Sequence, residues 1–345
     1  MQRFEHGGDV YGNTDICLDF SVNTNPLGMP PQVKTAIVEH IDDYERYPDP
    51  LCRTLTTAIA RRDGVDASQV LCGNGAADLI YRICISVRPE RALTLAPTFS
   101  EYERAVALAG GVVEYYPLSE HGAFILDDGI LDALKPGLDM LFLCNPNNPT
   151  GRLIDPGLIV RIADVCKARG ILFVVDECFI EFTDGTSAIP LLDEYPNMLI
   201  LRAFTKIYAM AGLRLGYVLC ADKTLLRRVR EAAQVWSVSV VAQVAGRAAL
   251  AVEGWSDRSR QTVRKERTYL EGELTLLGLN VFPSDANFLL VRSETSLYEP
   301  LKKQGILVRP CANFAGLDES SIRIGLKTHE QNETLIRVLR GVAHG

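Results

Sequence analysis

The sequence predicts an α/β protein with a mostly parallel central sheet in a large domain, helices on both faces of that sheet, and a smaller discontinuous α+β domain. Three observations lead to this prediction. Short apolar runs alternate with helical patterns between about residues 69 and 221, the pattern changes after about residue 237, and the first forty residues are rich in turns.

The alternating region predicts the parallel sheet. Seven apolar runs of strand length, among them "QVLCG", "DMLFLCN" and "ILFVVDE", are separated by stretches with helical periodicity such as "PGLIVRIADVCKARG". Asp155 and Pro156 supply an N-cap residue and a proline at the first helical position. Because alternation of this kind builds βαβ units, we predict a large domain over residues 41–250.

The remainder of the chain predicts a second domain made of two parts. Two long helical stretches run to about residue 277 and precede the apolar runs "NFLLVR", "ILVRP" and "SIRIGLK". A closing helix is expected from Thr328, where "THEQ" has the spacing of a capping box. Residues 1–40 are too short to fold alone, so we expect them to pack on residues 251–345 as one small domain.

Composition and charge exclude several kinds of partner. The 345 residues include 36 Lys and Arg against 43 Asp and Glu, a net charge of −7, and contain no dense basic block. This balance argues against nucleic acid and acidic membranes as partners, and it leaves positive charge only for local sites that hold small anions. The first residues lack the features of a secretory signal, and no apolar run approaches the roughly 20 residues that span a bilayer.

The cysteines indicate a reducing compartment. There are nine, most of them inside apolar runs, and they form no C-x-x-C pair. The odd count and the spacing favour reduced thiols in a cytosol over disulfides or zinc. We therefore predict a cytoplasmic protein without a metal site.

Two loops that follow predicted strands are candidates for ligand binding. "GNGAADLI", with Gly75, Ala76 and Ala77, places glycines between a strand and a helix, where backbone N–H groups and the positive helix end face an anion. "CNPNNPTG", with Asn148, places amide side chains in an extended turn, where they donate to ligand oxygens. The alternatives are a plain strand-to-helix turn for the first loop and a surface loop for the second.

The segment "FVVDECFIEF" places Asp176 and Glu177 at the C-terminal end of a buried strand, where ligand sites of open α/β sheets gather. A carboxylate in that position is costly unless a cation pairs with it. The functional interpretation makes Asp176 the partner of a protonated ring nitrogen, and the alternative is a solvated charge at a strand end. The sequence assigns no catalytic role to Glu177 or Cys178.

"RAFTKIYAMAGLRLGY" places Lys206 among apolar and small residues, with Arg202 and Arg214 as its nearest cations. A partly desolvated lysine near other cations has a lowered pKa and becomes a nucleophilic amine, the basis of Schiff-base chemistry. Thr205 and Arg214 are good phosphate ligands. A surface lysine is the alternative for Lys206 taken alone, but the order of glycine-rich loop, Asn-Pro loop, aspartate, lysine and arginine in one domain favours the reactive amine.

Two arginines of the predicted small domain complete the set of candidates. Arg309 in "ILVRPCANF" and Arg323 in "SIRIGLK" lie next to apolar strands. Either guanidinium is suited to hold a substrate carboxylate or phosphate through a bidentate fork. A surface ion pair is the alternative for each arginine taken alone.

Together these segments resemble the fold-type I pyridoxal-phosphate enzymes, the aspartate aminotransferase superfamily, over nearly the whole chain. The resemblance implies pyridoxal 5'-phosphate (PLP) as the cofactor. Lys206 would form the Schiff base with it, Asp176 would pair with its pyridine nitrogen, and Asn148 would bond its phenolic oxygen. The resemblance also implies that the cofactor phosphate is held by the glycine-rich loop and the lysine segment, through Gly75, Ala76, Ala77, Thr205 and Arg214.

The same resemblance implies roles for three further residues. Phe99 in "PTFSEY" would stack on the cofactor ring, and Arg323 would bind the α-carboxylate of the substrate. Tyr47 in "ERYPDP" would reach the cofactor phosphate of the neighbouring subunit, which implies a homodimer. The chain departs from many transaminases at Phe179, where they place a tyrosine that bonds the ring oxygen; this loss raises the pKa expected of the Schiff base.

Within the superfamily the chain resembles the histidinol-phosphate aminotransferases and the threonine-phosphate decarboxylases of cobalamin biosynthesis, the latter more closely through "HGGDVYG", "DFSVNTNPLGMP" and "WSVSVVAQ". The resemblance implies decarboxylation of O-phospho-L-threonine to (R)-1-amino-2-propanol O-phosphate. The alternatives are O-phosphoserine as the substrate, an aminotransferase of the histidinol-phosphate type and, more remotely, a non-catalytic regulatory protein. The candidates for substrate binding are His6, Asn25, Asn148, Arg309 and Arg323.

Overall fold

The structure, a computed structural model, describes residues 6–12 and 15–343. The parts of the predicted small domain at residues 1–5, 13–14 and 344–345 lie outside the described residues. In chain order, strands β1 to β13 are Leu18–Asp19, Val70–Gly73, Arg91–Ala96, Val112–Pro117, Met140–Cys144, Leu172–Asp176, Met198–Ala203, Gly216–Leu219, Asn280–Val281, Phe288–Arg292, Ile306–Leu307, Arg309–Pro310 and Ser321–Gly325. In chain order, helices α1 to α12 are Pro31–Glu39, Arg53–Asp63, Ala76–Val87, Glu101–Leu108, Ile130–Ala133, Pro156–Arg169, Phe204–Ile207, Lys223–Glu231, Val240–Leu250, Trp255–Leu276, Tyr298–Lys303 and His329–Ala343.

The central sheet has seven strands in the order β2-β8-β7-β6-β5-β3-β4. The pairs from β4 across to β7 are parallel, and β8 runs antiparallel to both of its neighbours. Cys144 at the end of β5 pairs with Asp176 at the end of β6, and Asp176 pairs in turn with Leu201 of β7. The loops that leave these three strands therefore meet at one edge of the sheet. The predicted mostly parallel sheet is confirmed.

Helices cover both faces of this sheet, as the sequence predicted. The apolar residues of strand β6 are buried on both of its faces. Phe173 and Val175 belong to one hydrophobic core cluster, whereas Val174 between them belongs to another. Successive side chains of a strand point to opposite faces, so both faces are packed. Helices α2, α6 and α9 contribute to the first cluster, and α3, α4 and α8 contribute to the second.

The C-terminal part forms an antiparallel sheet in the order β12-β13-β10-β9, with α10 and α12 packed on each other. Strand β1 pairs in parallel with β11, so a segment near the N-terminus joins this part of the chain. Helix α1, by contrast, packs against α9. The division of the chain at residues 40 and 250 stays a prediction.

Two helix starts agree with their sequence signals. The Asp155 carboxylate accepts a hydrogen bond from the Leu158 N–H at 2.9 Å, and α6 begins at Pro156 as predicted. At the last helix, the Thr328 and Gln331 side chains each accept from the backbone N–H of the other residue, which is the reciprocal pattern of a capping box. Both predicted helix starts are confirmed.

A buried ion pair explains Glu177, for which the sequence offered no role. Its carboxylate accepts from Arg202 Nη1 at 2.8 Å, from the Ser187 hydroxyl at 2.6 Å and from the Ala188 N–H at 2.7 Å. A buried charge is tolerated when it is paired and fully hydrogen-bonded. Glu177 therefore ties the loop after β6 to β7, the strand that leads to Lys206.

Two further predictions from the sequence concern the cellular compartment of the protein. None of the helices in residues 6–12 and 15–343 combines the length and the apolar character needed to cross a bilayer. All nine cysteines are free thiols, and seven of them are buried. The cytoplasmic location stays a prediction.

Candidate active site

A cavity of ≈ 230 Å³ lies where the loops after β5, β6 and β7 meet. It also receives residues from the N-terminal segment and from β12 and β13. Most of the residues that the sequence singled out line this cavity, namely His6, Ala76, Ala77, Phe99, Asn148, Asp176, Thr205, Lys206, Arg214, Arg309 and Arg323. Segments separated by up to about 300 residues thus converge on one volume.

Lys206 sits in the short helix α7, directly after β7, with its amine inside the cavity. Nζ donates to Asn23 Oδ1 at 2.8 Å and lies 5.4 Å from the centre of the Phe179 ring. Burial, together with the positive charges of Arg323 and Arg214, lowers the pKa of Lys206 to about 8. A lysine with a lowered pKa has more of its amine neutral and nucleophilic near neutral pH.

Asp176 is a buried carboxylate at the end of β6. Oδ2 accepts from the Tyr102 hydroxyl at 2.7 Å, and Oδ1 accepts from the Cys178 N–H at 3.0 Å. Within the described part of the chain, Asp176 forms no ion pair. Because a buried carboxylate favours a cationic partner, the cavity beside Asp176 suits a protonated ring nitrogen.

One end of the cavity suits a phosphate group. Helix α3 begins at Ala76, and the first N–H groups of a helix have no acceptor within it. Gly75 has φ +89°, and a Cβ there would lie 2.7 Å from Arg214 Nη2, so glycine allows Arg214 to approach the loop. Thr205 lies at the start of α7 and lines the same cavity.

The Asn-Pro loop is not a surface loop, because residues 144–151 are all buried. The Asn145 N–H donates to the Asp176 carbonyl at 2.8 Å, which ties the loop to the end of β6. Asn148 Oδ1 accepts from Arg323 Nη1 at 2.5 Å. The plainer interpretation of this segment is therefore wrong, and Asn148 is part of the cavity wall.

Arg323 and Arg309 bring positive charge from the C-terminal sheet. They are direct partners in the antiparallel register of β13 and β12, and both side chains are buried. Arg323 Nη2 donates to the Ser21 carbonyl at 2.8 Å, Nε has no hydrogen-bond partner, and no described acidic residue forms an ion pair with it. Like charges placed directly opposite each other destabilise a sheet, so this arrangement favours an anion between or beside them.

The charge of the cavity is opposite to that of the chain. Among the described residues that line it, four are lysine or arginine, and Asp176 is the one carboxylate. The chain as a whole has a net charge of −7. Clefts lined by one sign of charge concentrate ligands of the opposite sign. The sequence-based expectation of local positive charge for a small anion agrees with this cavity.

Three predicted residues do not line the cavity, namely Gly75, Asn25 and Tyr47. Gly75 lies next to Arg214, as described above. The Asn25 amide donates to the Ile207 carbonyl and to the Ser259 hydroxyl, both at 2.7 Å, and thereby supports the backbone beside Lys206. Tyr47 is 78% exposed and stacks on Trp236 with ring centres 4.4 Å apart. The contacts predicted for Asn25 with the substrate and for Tyr47 with a neighbouring subunit stay predictions.

Several lining residues were not identified from the sequence. Asn23 accepts from Lys206 Nζ. Its own buried Nδ2 has no hydrogen-bond partner in residues 6–12 and 15–343, so this N–H₂ group is placed to donate to a ligand. The only indication for Asn23 in the sequence was its position in the segment "SVNTN", from which Asn25 was selected instead. The other lining residues missed are Gly7, Ser21, Val22, Ile80, Cys144, Cys178, Ala203 and Phe314. Phe179, where the sequence departs from many transaminases, also lines the cavity.

The lowered pKa of Lys206 predicts the pH dependence of its reactivity. In cofactor-free protein, the rate of reductive methylation at Lys206 should reach half its maximum near pH 8 rather than near the ordinary lysine value of 10.5. Arg323→Met and Arg214→Met should each move this midpoint to higher pH, because each removes a cation that disfavours the ammonium form. Peptide mass spectrometry measures the rate, and Arg227→Met, at an exposed position of α8, is the control. A wild-type midpoint near 10.5 would contradict the described environment.

Comparison with known proteins places this geometry in a family. The profile of the family "Aminotransferase class I and II" matches residues 15–339. The chain is 41% identical to a threonine-phosphate decarboxylase from Salmonella typhimurium over 352 residues, which cover 99% of this chain and 97% of that protein.

Two solved structures are similar in fold. The histidinol-phosphate aminotransferase of Clostridium acetobutylicum gives a TM-score of 0.89 at 31% identity, covering 95% of this chain and 99% of that chain. The L-threonine-O-3-phosphate decarboxylase of Porphyromonas gingivalis gives a TM-score of 0.86 at 29% identity, covering 95% of this chain and 100% of that chain. The fold and the PLP cofactor predicted from the sequence are confirmed, and the chain belongs to the class I and II aminotransferase family of PLP-dependent enzymes.

Proposed function

We propose that this chain is a cytoplasmic PLP-dependent decarboxylase that converts O-phospho-L-threonine to (R)-1-amino-2-propanol O-phosphate, a reaction of cobalamin biosynthesis. The observation that carries the proposal is the pair of buried, directly opposed arginines, Arg309 and Arg323, in the cavity that holds Lys206. The similarity to a threonine-phosphate decarboxylase over nearly the whole chain supports it.

The residues present fit the cofactor at both of its ends. Asp176, which is buried and forms no ion pair with any described residue, would hold the protonated pyridine nitrogen. The start of α3 with Thr205 and Arg214 would hold the phosphate. Phe99, which also lines the cavity, would pack against the ring. When bound, PLP supplies an electron sink for the bond that breaks at the substrate Cα. Asp176 keeps that sink effective because its charge acts in a site of low dielectric.

The distribution of cations supports a substrate with two anionic groups. Lys206 and Arg214 are assigned to the cofactor, and Arg323 is assigned to the α-carboxylate of the substrate. Arg309 and His6 line the same cavity and provide N–H donors for a second anion. Arg309 is held in place by Asn313 Oδ1, which accepts from Nη2 at 2.8 Å, and by the Phe314 ring, 5.0 Å away. A phosphate is the anionic group suited to such a guanidinium.

The choice between decarboxylation and transamination depends on which bond of the substrate Cα the site orients for cleavage. Arg323 would hold the α-carboxylate, and Arg309 with His6 would hold the phosphate. This anchoring of the phosphate would orient the substrate for release of carbon dioxide. Lys206 would then deliver a proton to Cα. The aminotransferase alternative keeps the same residues and differs in this orientation.

The reaction itself can be tested with O-phospho-L-threonine. We expect release of carbon dioxide without a keto acid and without accumulation of the pyridoxamine form of the cofactor. Lys206→Ala should lower the rate at least ~100-fold, since it removes the group that transfers the proton. O-phosphoserine, which lacks one methyl group, should react with a kcat/KM lower by roughly 10- to 100-fold. Turnover that requires a keto acid would contradict the proposal and favour the aminotransferase.

We infer that the active unit is a homodimer in which Tyr47 contacts the cofactor phosphate of the neighbouring subunit. Tyr47 and Trp236 form an exposed stacked pair, and Val235 beside them is also exposed. Exposed aromatic groups of this kind are enriched in interfaces between subunits. Tyr47 does not line the cavity of its own chain, so a contact with a cofactor requires a second chain.

Mixed dimers test this contact between subunits. Tyr47→Ala should weaken PLP binding about tenfold, through loss of a hydrogen bond to a charged group. Mixing it with inactive Lys206→Ala at limiting PLP should restore roughly a quarter of wild-type activity, because half of the dimers are mixed and each of these holds one native site. No gain on mixing, or a monomer in sedimentation, would contradict the inference.

A further inference from the structure

Glu101 is a buried carboxylate next to the cavity that the mechanism above does not use. It is the first residue of α4 and is 9% exposed. Oε1 lies 2.8 Å from His6 Nε2 and accepts from Arg104 Nη1 at 3.2 Å. Oε2 accepts from the Tyr81 hydroxyl at 2.7 Å. Since both oxygens are occupied, Glu101 holds a fixed position between α3, α4 and the N-terminal segment.

His6 is fixed by its backbone as well as by Glu101. Gly8 N–H donates to Ser21 Oγ at 2.7 Å. A Cβ at Gly7 would lie 2.3 Å from the Ser21 carbonyl oxygen, so only glycine allows the chain to lie this close. The His6 ring lies 6.2 Å from the Phe99 ring, centre to centre. The "HGG" segment therefore seats the imidazole at the cavity wall, and Glu101 sets its orientation.

The bond to Glu101 determines what His6 can offer a ligand. The hydrogen bond from His6 lowers the pKa of Glu101, so its carboxylate is ionised and acts as an acceptor. Nε2 must then carry the hydrogen that is donated to Glu101. An anion bound at Nδ1 requires a hydrogen there too, so the ring that bridges Glu101 and an anion is the imidazolium cation.

We propose that Glu101 is a positioning residue for recognition of the substrate phosphate: it holds Nε2 of His6, so that Nδ1 donates to the phosphate. This inference rests on the proposed function, because it assigns the phosphate of the substrate to the His6 side of the cavity. The Arg309 guanidinium would provide a fixed positive charge for the phosphate. The imidazolium of His6, held by Glu101, would add a second hydrogen-bond donor of defined direction. Glu101 itself is not among the described residues that line the cavity.

A purely structural role for Glu101 leads to different expectations. Linking α3 to α4 through Tyr81 would affect the stability of the fold and would change the binding of every substrate alike. A positioning role affects only ligands that carry a phosphate. Comparison of a phosphorylated ligand with its unphosphorylated counterpart therefore separates the two roles.

The test uses holoenzyme with O-phospho-L-threonine, L-threonine and PLP as ligands, and Kd values from titration of the cofactor absorbance. Glu101→Gln should raise the Kd and KM for O-phospho-L-threonine roughly tenfold. The kcat and the Kd values for L-threonine and PLP should stay within about twofold. Glu101→Asp, which keeps the charge, should lie between wild type and Glu101→Gln. Glu103→Gln, on the exposed face of the same helix, is the matched control and should behave as wild type.

A double-mutant cycle that combines Glu101→Gln with His6→Ala completes the test. If Glu101 acts through His6, Glu101→Gln should have little further effect once His6 is removed. Additive losses, or an equal loss for both amino acids in Glu101→Gln, would overturn the positioning role while leaving the proposed function standing. A wild-type enzyme that binds O-phospho-L-threonine no better than L-threonine would overturn both. Transamination in place of decarboxylation, with the selective loss intact, would overturn the proposed reaction alone.

Discussion

Removal of the Lys206 amine from water is the constraint on which the site depends. The amine lies in a cavity between Arg323 and Arg214, and burial together with these cations disfavours its charged form. Asn23 Oδ1 accepts from Nζ and fixes its direction. The parallel sheet makes this possible, because the ends of its adjacent strands deliver Asp176 and the lysine segment to the same edge. An amine that loses its proton more readily than an ordinary lysine, in the same cavity as a buried carboxylate, is the starting point for PLP chemistry.

The surrounding charges suit ligands of opposite sign. Asp176 is buried and forms no ion pair among the described residues, and Arg323 is buried opposite Arg309 in neighbouring strands. Each arrangement becomes more favourable when a ligand of opposite charge binds. A pyridinium ring with a phosphate and an acidic substrate supply these charges. The buried pair of Glu177 and Arg202, by contrast, is balanced within the chain and needs no ligand.

The part of the site that follows chain order was predictable, and the part that depends on long-range packing was not. Asp176 and Lys206 follow buried strands, so parallel pairing alone brings them together. The choice between Asn23 and Asn25 depends on which side chain faces the cavity, a difference that the irregular "SVNTN" segment does not encode. The contact of His6 with Glu101 joins residues 95 positions apart through the packing of the N-terminal segment, for which no local pattern exists.

The central claim is that Lys206 is the amine that joins the cofactor, and borohydride reduction tests it most directly. Reduction of the PLP-loaded protein fixes the cofactor to the lysine that holds it, and mass spectrometry of the peptides locates it. We expect the added mass on the peptide that contains Lys206. Lys327, whose pKa is also lowered by burial, serves as the internal comparison and should stay unmodified. Labelling of Lys327 or another lysine in place of Lys206, or no labelling, would contradict the account.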